Sequence, residues 1–231
     1  MKSYRENELK YYVISCIFVF LWIHFQDNAK VLNLWIVLNP LIISPVFYIF
    51  TLLLDSVYSS DIKFRIVFWN RGMPSRYVCE EIASKGYLPW FTKEEAAKAY
   101  EKIYNSMPET QERYSYQARE WYKIYSKYQD KGIKPLEVNA IEYRMFRDIN
   151  IATINLTVLY FLYCLLCQRI YWEYVIFLLL ASILTNISAR NKGKRWIYNV
   201  IAYDINAISS AVSQENANKI HEMNDSSKNG Q

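Results

Sequence analysis

Hydrophobic and polar positions divide this chain into two kinds of sequence. Residues 11–54 and 151–189 are almost free of charged side chains, whereas residues 55–149 and 190–231 hold most of the lysine, arginine, aspartate and glutamate. The apolar positions form four runs, over residues 9–25, 34–54, 151–167 and 171–188. Because a helix needs roughly 17–25 apolar residues to cross the hydrocarbon core of a bilayer, the pattern predicts an all-α membrane protein with four transmembrane helices.

Short connections join the first run to the second and the third to the fourth, so each pair is predicted to form a hairpin. The first run follows basic residues, as a signal peptide does, but no small-x-small cleavage site comes after it, and we interpret it as a retained helix. The predicted organisation is an N-terminal transmembrane hairpin (1–55), an inserted cytosolic helical domain (56–149), a C-terminal transmembrane hairpin (150–189), and a cytosolic amphipathic helix from Arg195 to His221 with a disordered tail (190–231).

Basic residues lie on one side of the predicted spans. The outer turns hold only Lys30 and Arg169. The opposite side carries Lys2, Arg5, Lys10, Lys63, Arg65, Arg71, Arg76, Arg144, Arg147, Arg190, Lys192, Lys194 and Arg195. Since cytoplasmic loops carry the excess of lysine and arginine, we expect a multi-pass protein of the bacterial inner membrane with both termini and the central domain in the cytosol.

Composition narrows the chemistry. The chain has 21 tyrosines and 7 tryptophans, which agrees with a membrane protein because amphipathic rings favour the water–lipid boundary. It has two histidines and four cysteines, and the Cys164–Cys167 pair has no second cysteine pair or nearby histidine to complete a metal site. No phosphate-binding glycine loop, catalytic triad or paired catalytic carboxylates is present. We therefore predict neither an enzyme nor a cofactor.

Small and polar side chains recur at spacings of three and four along the third run. They are Asn150, Thr153, Thr157, Tyr160 and Cys164. This spacing places them on one face of a helix, where they would either let helices pack closely or line a pore between copies of the chain. Residue pattern alone leaves both interpretations open. It indicates no buried Asp–Lys or Glu–Arg relay, which argues against a proton-coupled transporter.

The central domain reads as a set of amphipathic helices. Thr92 is a predicted N-cap for a helix that begins at Lys93, and residues 109–129 form an amphipathic pattern that Gly132 and Pro135 close. Lysine and arginine are interleaved with tyrosine and tryptophan here. Such surfaces attract anionic lipid head groups or single-stranded nucleic acid, and the alternative is a solvated helical face with a few basic membrane anchors.

Four short segments carry a family resemblance: RGMPSR at 71–76, QAREWYKIY at 117–125, YRMFRD at 143–148 and ARNKGKR at 189–195. Together they make residues 30–205 resemble the small four-helix membrane effectors of bacterial anti-phage operons, a family that includes the channel-forming effectors of Hailong systems. The resemblance implies a homo-oligomeric channel, such as a tetramer. It also implies that a single-stranded oligodeoxyadenylate, made by a partner nucleotidyltransferase, holds the channel closed until its release depolarises the cell.

The resemblance further suggests where such an oligonucleotide would bind. The candidate ligands in the basic and aromatic domain are Arg71, Arg76, Arg113, Arg119 and Lys123. The same motif residues would alternatively maintain the fold, with Arg147–Asp148 and the basic cluster at 190–195 tying the domain to the helix ends. The leading hypothesis is a gated membrane channel. Its rivals are a non-channel membrane scaffold that recruits a cytosolic partner and, last, a lipid-modifying enzyme, for which no polar catalytic cluster is found.

Overall fold

The computed structural model describes residues 2–28, 45–46, 48–51, 53–69, 72–87 and 89–228 of the chain. The chain is 86% helical and, over the residues described, contains no strand. An isolated backbone bridge between Tyr87 and Phe91 is the single extended pairing in this part of the chain. The prediction of an all-α fold is confirmed.

The helices follow one another along the chain with short connections. They are α1 (Lys2–Asn28), α2 (Ser60–Phe68), α3 (Val78–Lys85), α4 (Lys93–Ala99), α5 (Glu101–Asn105), α6 (Glu112–Gln129), α7 (Lys134–Cys167) and α8 (Trp172–Lys228). A short 3-10 turn, Pro74–Arg76, precedes α3. An apolar helical segment, Tyr48–Val57, precedes α2.

Three helices are long and apolar enough to cross a membrane by length and composition: Asn7–Gln26, Lys134–Cys167 and Trp172–Gln214. They contain the first, third and fourth apolar runs, so the chain has the helices of a membrane protein. Most of the second run lies outside the described residues, and Tyr48–Val57 is the shorter helical part of it that is described. A fourth span therefore stays a prediction.

Local chemistry explains where the helices begin and end. The Thr92 side chain accepts a hydrogen bond from Glu95 N, and the Glu95 carboxylate accepts one from Thr92 N, which forms a capping box and confirms the predicted start of α4. Gly132 has φ +62°, which suits the chain reversal after α6. Pro135 lies in the first turn of α7, where its missing N–H costs no helical hydrogen bond.

The fourth apolar run and the amphipathic segment after it are one helix. α8 runs without a break to Lys228, whereas the sequence predicts a separate helix ending at His221. Residues 229–231 lie outside the described part of the chain.

The described residues form two compact units. The first unit comprises Met1–Met73 with Val138–Gly193, and the second comprises Pro74–Glu137 with Lys194–Gln231. The division falls within α7 and within α8, so each of these helices contributes to both units.

The core of the first unit joins α1, α7 and α8. Its buried residues are Val13, Cys16, Ile17, Phe20, Leu21, Ala152, Leu156, Tyr160, Cys164, Tyr171, Tyr174 and Leu178. Tyr160 OH donates to Tyr171 O at 3.2 Å and accepts from Tyr171 N at 2.7 Å. Because Tyr160 meets the start of α8 while Asn150 meets Thr185 further along it, α7 and α8 form an antiparallel hairpin.

The second unit packs α6 against the later part of α8. The buried face of α6 presents Gln117, Trp121 and Tyr128, as its amphipathic pattern predicts. Trp121 Nε1 donates to Ile197 O at 3.2 Å, and the Trp121 and Trp196 rings meet edge to face with centroids 5.0 Å apart. Large aromatic rings thus provide much of the apolar contact that holds this unit together.

Candidate functional site

Every residue of α7 from Arg147 to Thr153 is buried. A helix that is covered on all sides is expected to be apolar all round, yet this stretch contains Arg147, Asp148, Asn150 and Thr153. Buried polar groups are costly unless they are paired. Their partners on neighbouring helices therefore define a candidate functional site within the first unit.

At one end of this stretch, four charged side chains form an ion cluster (Asp55, Lys63, Arg147 and Asp148). Lys63 Nζ lies 2.6 Å from Asp55 Oδ1 and 3.8 Å from Asp148 Oδ1. The Arg147 guanidinium lies 2.9 Å from Asp148 Oδ1. Asp148 is 1% exposed, and Lys63 and Arg147 are each 7% exposed. The sequence pattern indicates no buried Asp–Lys contact, whereas the structure contains one in which Lys63 contacts Asp55 and Asp148.

No sequence pattern indicates this cluster as a whole, because its members come from different helical segments. Asp55 ends the apolar segment Tyr48–Val57, Lys63 belongs to α2, and the Arg147–Asp148 pair precedes the apolar part of α7. A lysine that follows an apolar run predicts a cation flanking a membrane span, and the sequence alone gives Lys63 this interpretation. The available signal was Asp55, a carboxylate at the end of an apolar run with a lysine eight residues later.

Beyond the ion cluster, α7 and α8 share a network of neutral polar groups. Asn150 Nδ2 donates to Ser182 O at 3.2 Å and to Thr185 Oγ1 at 3.1 Å. Asn186 Nδ2 lies 3.4 Å from Asn150 Oδ1 and from Val67 O, the latter near the end of α2. Asn186 of α8 therefore contacts both α7 and α2.

The other predicted pore-lining residues lie inside the same unit. Thr153 Oγ1 is 2.7 Å from Tyr12 OH on α1. Thr157 is half-buried and donates to Thr153 O at 2.9 Å, while Tyr160 and Cys164 belong to the apolar core. All five predicted residues thus share one face of α7, and their described contacts are made within one protomer. These contacts favour the packing interpretation, and pore lining stays a prediction.

A further buried polar residue, Asn155, was absent from the predicted stripe. Asn155 Oδ1 accepts a hydrogen bond from Tyr58 OH at 3.2 Å. Its Nδ2 is buried and has no hydrogen-bond partner among the described residues. From the ion cluster to Asn155, α7 therefore presents a sequence of charged and polar groups in the interior of a unit built from apolar helices.

The predicted oligonucleotide ligands are more dispersed. Arg71 lies outside the described residues, and Arg76 is exposed in the 3-10 turn before α3. Arg113 Nε lies 2.6 Å from Glu80 Oε1, and Lys123 Nζ lies 2.7 Å from Glu120 Oε1. The Arg119 guanidinium lies 5.6 Å from the centroid of the Tyr116 ring.

The three described candidates on α6 do not share one face of the helix. At about 100° per residue, Arg119 and Lys123 share a face of α6, and Arg113 points about 80–120° away from them. Glu120 is within 4 Å of both Arg119 and Lys123, at 3.9 and 2.7 Å. The carboxylates offset part of the positive charge, and Arg119 and Lys123 are the two described candidates that share a face of α6.

The second unit contains its own buried carboxylate, Asp204, which is 3% exposed. It accepts hydrogen bonds from Tyr100 OH at 2.9 Å, from Tyr128 OH, and from Lys127 Nζ at 3.1 Å. Burial, and then the neighbouring Asp204 charge, raise the pKa of Tyr128 to about 12 and raise that of Tyr100 further. Both tyrosines therefore stay neutral donors near pH 7, and this carboxylate serves to hold α6 and α8 together.

No protein-family model matches the chain, and no curated protein or solved structure matches it either.

Proposed function

We propose that the protein is an oligomeric membrane effector that conducts ions across the bacterial inner membrane through a gated pathway. The observation that supports this proposal is the pair of buried polar side chains that Asn150 and Thr153 present on one face of α7. Polar groups inside a bilayer are costly, and those that face a bundle interior commonly mark ion or substrate pathways. The ion cluster lies at the boundary of the predicted span, where charged rings select ions in other channels.

The proposed topology has four spans, with both termini and the second unit in the cytosol. Its support is the distribution of lysine and arginine around the apolar runs. The proposed assembly is a homo-oligomer such as a tetramer, as the family resemblance implies. Membrane lipid is then the remaining neighbour of the apolar helices.

We also propose that a nucleotide or single-stranded oligonucleotide bound to the second unit controls the pathway, as the family resemblance implies. Arg119 and Lys123 are the best-placed cations, since they are more than 60% exposed and neighbour the exposed Tyr122 ring. Stacking on an aromatic ring beside basic groups is how proteins bind single strands. A nucleotidyltransferase that makes the ligand is the partner that this proposal requires.

The first test is membrane potential, followed with a voltage-sensitive dye while the protein is expressed with and without its neighbouring genes. Purified protein in liposomes then gives ion flux directly. Asn150→Leu and Thr153→Leu should each lower the flux by about tenfold, the kinetic equivalent of one lost hydrogen bond in the pathway. Protein that never passes ions, with or without extracts of phage-infected cells, would contradict the proposal.

The control for these variants is an exposed apolar residue of α7, where a substitution leaves the core and the Asn150–Thr153 face unchanged. Leu156 is 1% exposed and belongs to the core, so truncating it would open a cavity. Leu162 is 51% exposed, and Leu162→Ala should leave flux unchanged. An equal loss in all three variants would indicate general damage to packing and not a pathway along the polar face.

A membrane scaffold that recruits a cytosolic partner is the second candidate. The specific observation in its favour is that Asn150, Thr153 and Tyr160 satisfy their hydrogen bonds within one protomer, as packing residues do. It predicts a stable complex between this protein and a neighbouring gene product. It also predicts an unchanged membrane potential in every combination of genes, which separates it from the channel proposal.

A further inference from the structure

A groove of about 540 Å³ opens in the first unit between α2, α7 and α8. One part of its wall is aliphatic, formed by Ile66, Ile154, Ile183 and Ile187. The other part is polar and includes Asn150, Asn186 and Arg190, with the Trp69 ring beside them. The groove therefore combines an apolar surface with a single cationic end.

Arg190 is held in place by the end of α2. Its Nε donates to Val67 O at 2.6 Å, one of the last-turn carbonyls that has no partner within the helix. Its Nη2 is buried and has no hydrogen-bond partner among the described residues. Of the described residues that line the groove, Arg190 is the only charged one. The guanidinium therefore gives the groove one positively charged end, which favours an anionic group there.

The Trp69 ring lies over the Arg190 guanidinium, and the backbone of Trp69 has an unfavourable conformation. The Arg190 guanidinium carbon lies 4.4 Å from the centroid of the Trp69 ring, within the range of a cation–π contact. Trp69 has φ +52° and ψ −141°, a conformation that side-chain-bearing residues rarely adopt. The ring is 68% exposed. An exposed indole beside a cation is an arrangement suited to the level of lipid head groups.

The aliphatic wall identifies the class of ligand. Ile183 and Ile187 are 56% and 50% exposed and follow one another along α8 at a helical spacing that leads away from Arg190. A free phosphate would use the arginine and leave this wall uncovered, whereas the acyl chains of a lipid would cover it. Basic pockets between membrane helices on the cytosolic side are known to receive anionic head groups.

We infer that this groove binds one anionic phospholipid, with its phosphate at Arg190 and Trp69 and its acyl chains along the isoleucine wall. The inference does not depend on ion conduction, because a scaffold in the same membrane would present the same groove. It assigns a binding role to Arg190, a residue otherwise expected only to flank a span.

The test uses the full-length protein in detergent, with native mass spectrometry to count bound lipids and measure their affinity. The probes are dihexanoyl phosphatidylglycerol, dihexanoyl phosphatidylcholine and inorganic phosphate. One phosphatidylglycerol should bind saturably, and Arg190→Gln should weaken it by about tenfold, as expected for one charge-assisted hydrogen bond. Arg144→Gln, an exposed arginine of α7 outside the groove, should change the affinity by less than about twofold.

Two further variants keep the test decisive if Arg190→Gln folds poorly. Arg190→Lys keeps the charge and should retain most of the affinity, and Ile187→Ser, at a half-exposed position, should weaken the lipid by about threefold through lost apolar contact. Equal binding of phosphatidylcholine would overturn the inference, as would unchanged affinity in both Arg190→Gln and Ile187→Ser. Displacement of phosphatidylglycerol by inorganic phosphate would identify a site for free anions. That result would also overturn the inference.

Discussion

The two units bury charge in different ways. In the first unit, Lys63 and Arg147 are buried together with the carboxylates that pair with them. In the second unit, the buried carboxylate of Asp204 is surrounded by two neutral tyrosine hydroxyls and by Lys127, whose side chain is 52% exposed. One unit compensates charge with charge, and the other compensates it with neutral donors and a cation that reaches water.

This difference follows from what surrounds each unit. Where apolar helices cover a cluster, water cannot solvate a lone charge, so cations and anions have to be buried in equal number. Where a helix face reaches solvent, an exposed lysine keeps its hydration and still contacts the carboxylate. The ion cluster of the first unit is consequently more sensitive to the loss of one member than the Asp204 site is.

The largest expected effect comes from breaking the ion cluster. Lys63→Met removes the cation between Asp55 and Asp148 and should lower the free energy of unfolding by about 3–5 kcal/mol, since it leaves buried charge uncompensated. Thermal unfolding in detergent micelles would measure the loss.

Two controls show whether charge is the cause. Lys63→Met combined with Asp55→Asn removes one charge of each sign and should recover part of the stability. Arg65→Met changes an exposed cation of the same helix and should cost less than about 0.5 kcal/mol. If Lys63→Met alone is as stable as Lys63→Met with Asp55→Asn, or more stable, then Lys63 contributes through the packing of its methylene groups and not through its charge.

The next expected effect is a loss of stability at alkaline pH to which the Asp204 site of the second unit contributes. The pKa of Tyr128 is raised from 10 to about 12 by burial and by the adjacent Asp204. A group that holds its proton more tightly in the folded state stabilises it fully below pH 10, and that stability is lost as the pH rises from 10 towards 12. Tyr128→Phe cannot ionise, so it should reduce the slope of stability against pH in that range.

This pH effect can be measured by circular dichroism of thermal unfolding between pH 9 and pH 12, with tyrosine ionisation followed by absorbance. The matched control is Tyr122→Phe, because the Tyr122 ring is 61% exposed. If both variants flatten the pH profile equally, the effect comes from the total number of tyrosines and not from the Asp204 site.

Local signals were predictable from the sequence, and long-range pairings were not. The Thr92–Glu95 capping box, the Gly132 turn and the apolar runs each depend on residues within a few positions, so their pattern is sufficient. Asp148 and Lys63 lie 85 positions apart, and no periodicity relates them. Their pairing requires the packing of α2 against α7, which only the folded structure provides.

The same reason explains the candidate site. The five stripe residues were found because they repeat along one helix, and the structure keeps them on one face. What the stripe faces was not predictable, because a packing face and a pore face carry the same small and polar residues. Arg113 illustrates this limit: its pairing with Glu80 is fixed by tertiary contact and reduces its value as a free basic ligand.

The smallest expected effect compares one glycine of each unit, Gly193 and Gly132. A Cβ at Gly193 in the first unit would lie 2.7 Å from Phe68 Cζ and 2.9 Å from Tyr143 Cε2, whereas a Cβ at Gly132 in the second unit would meet nothing within 4 Å. Gly193→Ala should lower the free energy of unfolding by about 1–3 kcal/mol through overpacking. The higher helix propensity of alanine should offset about 1 kcal/mol of this loss. Gly132→Ala should cost about 1 kcal/mol because its φ of +62° disfavours a side chain.

Substitution by asparagine separates overpacking from backbone strain, because asparagine tolerates positive φ but is larger than alanine. Gly132→Asn should be more stable than Gly132→Ala, since only the backbone conformation is at issue there. Gly193→Asn should be less stable than Gly193→Ala, since the added atoms increase the clash with two aromatic rings. Thermal unfolding of the four variants tests this order, and a gain from asparagine at Gly193 would show that the rings of Phe68 and Tyr143 move apart easily. In that case the first unit would be the more loosely packed of the two, and its sensitivity would have to come from charge alone.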